Sequence, residues 1–92
     1  MGIRYRLRFQ KRSSRSDVVR LPVVSGRDVV RALERAGYIV DRQKGSHIVL
    51  RHTAPPFRRI TVPDHKEVAK GTLRAVLRAV GLTTGEFVQL LK

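Results

Sequence analysis

The amino-acid sequence predicts an α+β fold: a two-layer sandwich in which helices cover one face of a three-stranded antiparallel sheet. Three short β-prone runs follow one another between residues 38 and 62, with tight connections between them. Apolar residues at helical spacing lie both before and after these runs. An antiparallel sheet that exposes one face needs cover on the other, and we expect the flanking helices to supply it.

The first helix is predicted to begin after Ser25, a favourable N-cap residue. Asp28 follows three residues later, where a negative charge stabilises the positive end of a helix. Gly37 is expected to end this helix. The apolar stripe of the helix consists of Val29, Val30, Leu33 and Ala36.

The strands are predicted from short apolar runs and the turn residues between them. Residues 38–40 form a β-prone run, and the tight connection at 43–45 predicts that residues 46–51 pair with it in antiparallel fashion. A third strand is expected over residues 59–62, where Pro63 stops it. Together these runs predict one small sheet.

Two more helices are predicted towards the end of the chain. A polar loop over residues 64–70 precedes a helix that we expect Thr72 to cap and Gly81 to close after Val80. Thr84 is predicted to start a short final helix. The predicted order of elements is therefore α-β-β-β-α-α.

Positive charge is the strongest feature of the composition. The chain has 20 Lys and Arg against 7 Asp and Glu, a net charge of +13, and 15 of the basic residues are Arg. Such a balance favours a polyanionic partner: RNA, DNA or an acidic protein. There is no Cys, which excludes disulfides and thiolate metal sites and is compatible with the cytoplasm. No apolar run approaches the roughly 20 residues of a membrane span, so we predict no membrane association.

The first 20 residues differ from the rest. They carry seven basic residues and one acid, and apolar and polar, mostly basic, side chains alternate over residues 3–10. We predict a flexible basic N-terminal extension over residues 1–20, followed by one folded domain over residues 21–92. A segment without a role, an arm that grips RNA and an added edge strand all remain open for the extension.

His47 is the strongest candidate for chemistry. It follows a small basic turn and precedes an apolar run, and strand alternation puts it and Arg51 on the face opposite Ile48 and Leu50. An imidazole with an ordinary pKa of roughly 6.5 suits proton transfer near neutrality. RNA carries its own nucleophile, the 2′-hydroxyl, so an imidazole beside a held phosphate suffices for cleavage. The candidate RNA-binding residues are Arg42, Lys44, Gly45, Ser46 and Arg51.

Two other histidines have weaker claims. His65 follows the third strand next to Asp64, which could orient it, and it is a possible second acid or base. His52 is expected to point towards the helices or to lie in a loop, with a structural or incidental role. The spacing of the three histidines matches no compact metal-ligand motif, so we predict neither a metal site nor a cofactor.

With these residues placed, the chain resembles the HicA toxin family, the mRNA interferase half of bacterial HicAB toxin–antitoxin pairs. Several stretches carry the resemblance in register: residues 21–27 with 32–38, then 42–47, 60–65 and 70–74, and the tail at 81–83. Two features depart from the family pattern. Residues 1–20 precede the usual family start, and Tyr38 occupies a position where Phe is common.

The resemblance implies a fold like that of double-stranded-RNA-binding domains, which agrees with the element order predicted above. It implies ribonuclease activity against mRNA, with the histidine of the Gly-Ser-His motif, here His47, as the catalytic residue. It also implies a HicB-type antitoxin that covers this site. The oligomeric state stays open between a homodimer and a hetero-oligomer with the antitoxin.

Three other functions fit parts of the sequence. A non-catalytic RNA-binding module of the same fold would bind RNA without shortening it. A basic ribosome-associated or structural protein would need no histidine after Gly-Ser. A DNA-binding helical module is disfavoured by the three β-runs and by the lack of a clear helix-turn-helix pair.

Overall fold

The computed structural model describes residues 20–92 of the chain. In order, the elements are α1 (Gly26–Arg35), β1 (Tyr38–Lys44), β2 (His47–His52), β3 (Arg59–Pro63), α2 (Lys70–Val80) and α3 (Thr84–Leu91). This confirms the predicted α+β class and its α-β-β-β-α-α order. The basic extension over residues 1–20 stays a prediction, since residues 1–19 lie outside the described part.

The three strands form one antiparallel sheet in the order β1-β2-β3. A two-residue turn at Gly45 and Ser46 joins β1 to β2, and Gly45 has a φ of 60°, which glycine adopts without strain. β1 is longer than predicted because its pairing with β2 continues to Lys44, opposite His47. The last residue of β1, Lys44, and the first residue of β2, His47, are therefore held opposite each other.

A β-bulge interrupts β1 at Asp41. The pairing runs from Val40 with Leu50 directly to Arg42 with Val49, so Asp41 is the extra residue. One extra residue shifts the alternation of the side chains by one position. Beyond the bulge, Arg42 and Lys44 therefore take the face that plain alternation from Tyr38 would give to Gln43.

The hydrophobic core lies between one face of the sheet and the helices. α1 packs against β1, β3 and α3, while α2 packs against β3. Full burial of a large apolar side chain stabilises the fold by about 1.5–3 kcal/mol. The largest fully buried side chains are Phe87, Leu33, Ile48, Leu50, Leu73, Val29 and Val62. Among residues 20–92, no helix has the length and apolar composition that crossing a membrane requires.

Capping boxes begin two of the helices. The Ser25 hydroxyl accepts from the Asp28 N–H, which confirms Ser25 as the N-cap of α1, and the Asp28 carboxylate accepts from the Ser25 N–H. This backbone donor is the main reason why the pKa of Asp28 is lowered, and the Ser25 hydroxyl and Arg31 act in the same direction. Thr83 and Glu86 form the equivalent box at the start of α3.

The predicted start of α2 is wrong. Thr72 does not cap this helix, which begins at Lys70 after Ala69, a residue that makes no side-chain capping bond. The reason lies in Val68, the residue before Ala69. Val68 is buried, and its N–H donates to the Val24 carbonyl at 2.8 Å. This anchor fixes where the chain turns into the helix, so the cap position is Ala69, three residues before Thr72. Gly81 closes α2 with a φ of 76°, as predicted.

The first turn of α1 rests directly on the backbone that follows β3. The Gly26 N–H donates to the His65 carbonyl at 2.8 Å. A Cβ built on Gly26 would fall on the Pro63 carbonyl oxygen and within 3.0 Å of the Asp64 Cα. Gly26 is thus required for a close approach of two backbones.

Replacing Gly26 with alanine should destabilise the protein, because the new methyl group collides with backbone that cannot rotate away. We expect Gly26→Ala to lower the free energy of unfolding by about 1–3 kcal/mol, the usual cost of overpacking. Urea titration followed by far-UV circular dichroism measures this loss.

Gly71→Ala is the matched control. Gly71 lies in α2, and a Cβ there meets no atom within 4 Å. Gly71 is the second residue of this helix, and alanine loses less backbone entropy than glycine on folding, so this variant should be at least as stable as the parent. Equal stability of the two variants would contradict the close approach at Gly26.

Candidate functional site

His47 is the first residue of β2 and is exposed to solvent. The next residue, Ile48, is buried, and so is Leu50, so the side chains of β2 alternate between the helix-covered face and an open face. His47 therefore has the predicted orientation, towards the open face. Its partners across the sheet are Lys44 on β1 and Pro63 on β3.

The bulge at Asp41 brings two cationic side chains to the same face. Lys44 lies opposite His47, and Arg42 lies opposite Val49, the next residue of β2 on the open face. Both cations are exposed. The predicted grouping of Arg42, Lys44 and His47 is present, but the bulge rather than simple alternation produces it. The turn residues Gly45 and Ser46 are exposed beside them.

The far end of the open face carries two more arginines. Arg51 is half-buried on β2, and its guanidinium carbon lies 6.0 Å from the centre of the Phe57 ring. Arg59, its partner on β3, donates from Nε to the Asp41 carboxylate at 3.2 Å. The sequence reasoning missed Arg59, although alternation along β3 from the buried Val62 could have placed it on this face.

His65 lies at the same end of the sheet as His47. Pro63 pairs with His47, and the Asp64 N–H donates to the Ser46 carbonyl at 2.7 Å, so the chain leaves β3 beside the β1–β2 turn. His65 follows directly and is exposed. Its carbonyl, bound by Gly26, holds the segment in place. The two histidines thus share one end of the fold.

Asp64 does not act as the sequence suggests. Its carboxylate accepts from Arg27 of α1 at 3.1 Å and from the Gln43 side chain of β1 at 3.1 Å, and both partners come from other elements. Gln43 also donates to the Gly45 carbonyl at 3.2 Å. We call Arg27, Gln43 and Asp64 the polar clamp. It ties the β1–β2 turn to α1 and to the end of β3.

The sequence reasoning missed Arg27 and Gln43 as members of this site. They are separated from Asp64 by 37 and 21 residues, and no local motif connects them. Gln43 reaches the clamp only because the bulge turns it away from the open face.

His52 has the structural surroundings that were predicted for it. Its ring meets Tyr38 edge-on, with centroids 4.8 Å apart, and its Nδ1 accepts from the Ala54 N–H. It lines a depression of about 240 Å³ at the end of β2 remote from His47. Within residues 20–92, no three His, Asp or Glu side chains come together as metal ligands could.

Comparison with known protein families identifies a match. The model of the family described as the HicA toxin of bacterial toxin–antitoxin systems matches residues 26–82. This range covers more than half of the chain, from the first residue of α1 to just beyond α2, and it includes both histidines at the shared end of the sheet. No curated protein sequence matches the chain.

The polar clamp predicts energetic coupling between α1 and the end of β3. Arg27→Ala and Asp64→Ala should each lower the free energy of unfolding by up to about 1 kcal/mol, since partly exposed ion pairs are worth little. The double variant should lose little more than either single variant, because each change breaks the same interaction. Urea titrations of all four proteins give the coupling energy.

Asp64→Ala combined with Arg74→Ala serves as the control cycle, since Arg74 is an exposed residue of α2 outside the clamp. These two losses should add. If the Arg27 and Asp64 losses also add, the clamp does not exist in solution.

Proposed function

Because the chain belongs to the HicA toxin family of bacterial toxin–antitoxin systems, we propose that it is an endoribonuclease that cleaves mRNA with His47 as the catalytic residue. One observation carries this proposal: the exposed His47 begins the central strand on a face that also presents Arg42 and Lys44. An imidazole reachable by a polymer and flanked by cations is what RNA cleavage requires.

The cations hold the substrate. Arg42, Lys44 and Arg51 lie along one face, so a single RNA backbone crossing that face meets them in turn. Their attraction to phosphate does not depend on sequence and weakens as the salt concentration rises. This positions the ribose and phosphate of one nucleotide against His47.

The chemistry is an internal transfer of the phosphoryl group. Neutral His47 takes the proton of the 2′-hydroxyl, whose oxygen then forms a bond to the adjacent phosphorus. The backbone amides of the exposed residues Gly45 and Ser46 and the Lys44 ammonium stabilise the charge that develops on the phosphorane. The bond from phosphorus to the 5′-oxygen breaks, giving a 2′,3′-cyclic phosphate and a free 5′-hydroxyl.

The departing 5′-oxygen needs a proton, and we assign this role to His65. It lies at the same end of the sheet as His47, since Asp64 pairs with Ser46. All groups in this scheme come from the chain or from the RNA itself, so we propose neither a metal nor a cofactor.

We also propose a HicB-type antitoxin as the protein partner. The open face is exposed and strongly basic, so a protein that covers it with acidic groups would compete directly with RNA. Neutralisation then needs no change in the toxin's fold. Assembly into a toxin–antitoxin hetero-oligomer follows from this proposal, and a homodimer of the toxin is the alternative state.

His47→Ala should abolish cleavage while leaving the fold intact, because the ring is exposed and takes no part in the core. We expect the rate to fall by at least about 10²–10⁴, the usual contribution of acid–base catalysis. The measurement is the shortening of a purified mRNA with protein free of other ribonucleases.

His52→Ala is the control, since it removes an imidazole from the other face. It should lose some stability through the lost contact with Tyr38 and should keep cleaving. Undiminished cleavage by His47→Ala would exclude His47 as the catalyst. If the wild-type protein binds RNA and leaves it at full length, the chain is a non-catalytic RNA-binding module.

His65→Ala tests the assignment of the general acid. The variant should cleave ordinary RNA about 10²-fold more slowly. It should cleave at nearly the wild-type rate an RNA with sulfur in place of the bridging 5′-oxygen at one bond, because a thiolate leaves without being protonated. The comparison of these two rates is the measurement.

His47→Ala should stay inactive on the sulfur-containing substrate, because the 2′-hydroxyl still has to lose its proton. An equal defect of His65→Ala on both substrates would remove His65 from the role of acid.

A further inference from the structure

Phe57 stands outside the core in an unusual conformation. It lies in the connection between β2 and β3, and it is 46% exposed. Its φ is 59°, in the left-handed region that bulky residues seldom occupy. The Phe57 N–H donates to the Ala54 carbonyl at 2.8 Å, which closes the turn that holds this conformation. The chain therefore keeps an aromatic ring in contact with solvent instead of burying it.

The ring is next to the end of the open face remote from His47. The Arg51 guanidinium carbon lies 6.0 Å from the ring centre, within the range of a cation–π contact. Arg51 shares the open face with His47 and lies four residues further along β2. At about 3.3 Å per residue, this separates the two positions by roughly 13 Å.

We propose that Phe57 and Arg51 form a stacking subsite for one unpaired base of a single-stranded RNA whose backbone crosses the open face. This rests on the proposed ribonuclease function. A flat aromatic ring and a guanidinium plane both stack on nucleobases, and the cation also attracts phosphate. An extended single strand covers the separation from His47 with a few nucleotides.

The location of the subsite determines its effect. The stacked base lies away from the bond that breaks, so the subsite raises affinity and favours unpaired stretches without taking part in proton transfer. A duplex does not offer such a base, because its bases stack on one another.

The charges around the ring favour nucleic acid over an apolar protein surface. Arg51 lies over the ring, Arg58 follows Phe57 in the chain, and Arg59 pairs with Arg51 in the sheet. Asp41 forms an ion pair with Arg59. An aromatic base linked to a phosphate matches both the ring and the guanidinium groups next to it. A protein partner would have to bring both an apolar group and acids to the same place.

Binding in a His47→Ala background tests the subsite without cleavage. Phe57→Leu keeps an apolar side chain and removes the flat ring, whereas Phe57→Trp keeps a ring. Affinity for a single-stranded oligoribonucleotide, measured by fluorescence anisotropy, should fall about five-fold or more for Phe57→Leu and should be retained by Phe57→Trp. Val23→Ala, which changes another exposed apolar residue, should bind like the parent.

An abasic scan of the oligonucleotide makes the test specific to stacking. At one position, removal of the base should weaken binding to the parent about five-fold and should not weaken binding to Phe57→Leu further, because both changes remove the same contact. Affinity for the corresponding duplex should be the same for the parent and for Phe57→Leu.

Three results would overturn the subsite. Unchanged single-strand affinity of Phe57→Leu is one, and an equal loss on single strand and duplex is another. The third is a Phe57→Leu variant that loses affinity for the antitoxin and keeps its affinity for RNA, which would assign Phe57 to protein binding. In each of these cases the ribonuclease proposal still stands if the wild-type protein cleaves RNA. A wild-type protein that neither binds nor cleaves RNA overturns both.

Discussion

The site depends on the burial of one face of a three-stranded sheet beneath the helices. Ile48, Leu50 and Val62 are buried almost completely on that face. Their burial fixes the register of β2 and β3, since a slip by one residue would turn every side chain to the opposite face. The exposure of His47 thus follows from the burial of its neighbours. The hydrophobic effect that stabilises the domain is also what presents the imidazole to solvent.

Backbone packing holds the end of the sheet that carries both His47 and His65. α1 approaches the residues after β3 so closely that only glycine fits at position 26, and the His65 carbonyl accepts a hydrogen bond from that glycine. The polar clamp adds side-chain contacts between the same segments. Its ion pair is partly exposed and contributes little energy, so its main consequence is geometric. It fixes the turn before His47 relative to the segment that carries His65.

The positive charge of the open face is only partly neutralised within the described residues. Asp41 pairs with Arg59, and the Asp64 carboxylate lies in the polar clamp behind the face. Like charges gathered on one surface oppose folding through mutual repulsion. A polyanion that binds there removes this repulsion, so RNA and an acidic antitoxin would bind the toxin for the same electrostatic reason. Under the proposed function, the charge of the toxin itself would make the two partners compete.

The sequence alone determined the class of the fold, the order of its elements and the orientation of His47. These properties depend on local patterns: apolar alternation in strands, helical spacing, and capping residues such as Ser25 with Asp28. Only the tertiary structure decided the rest. Contacts between distant residues set the bulge at Asp41, the start of α2 after Val68, and the partners of Asp64. Because one inserted residue reverses the alternation of a strand, a local pattern could not show which face receives Arg42 and Lys44.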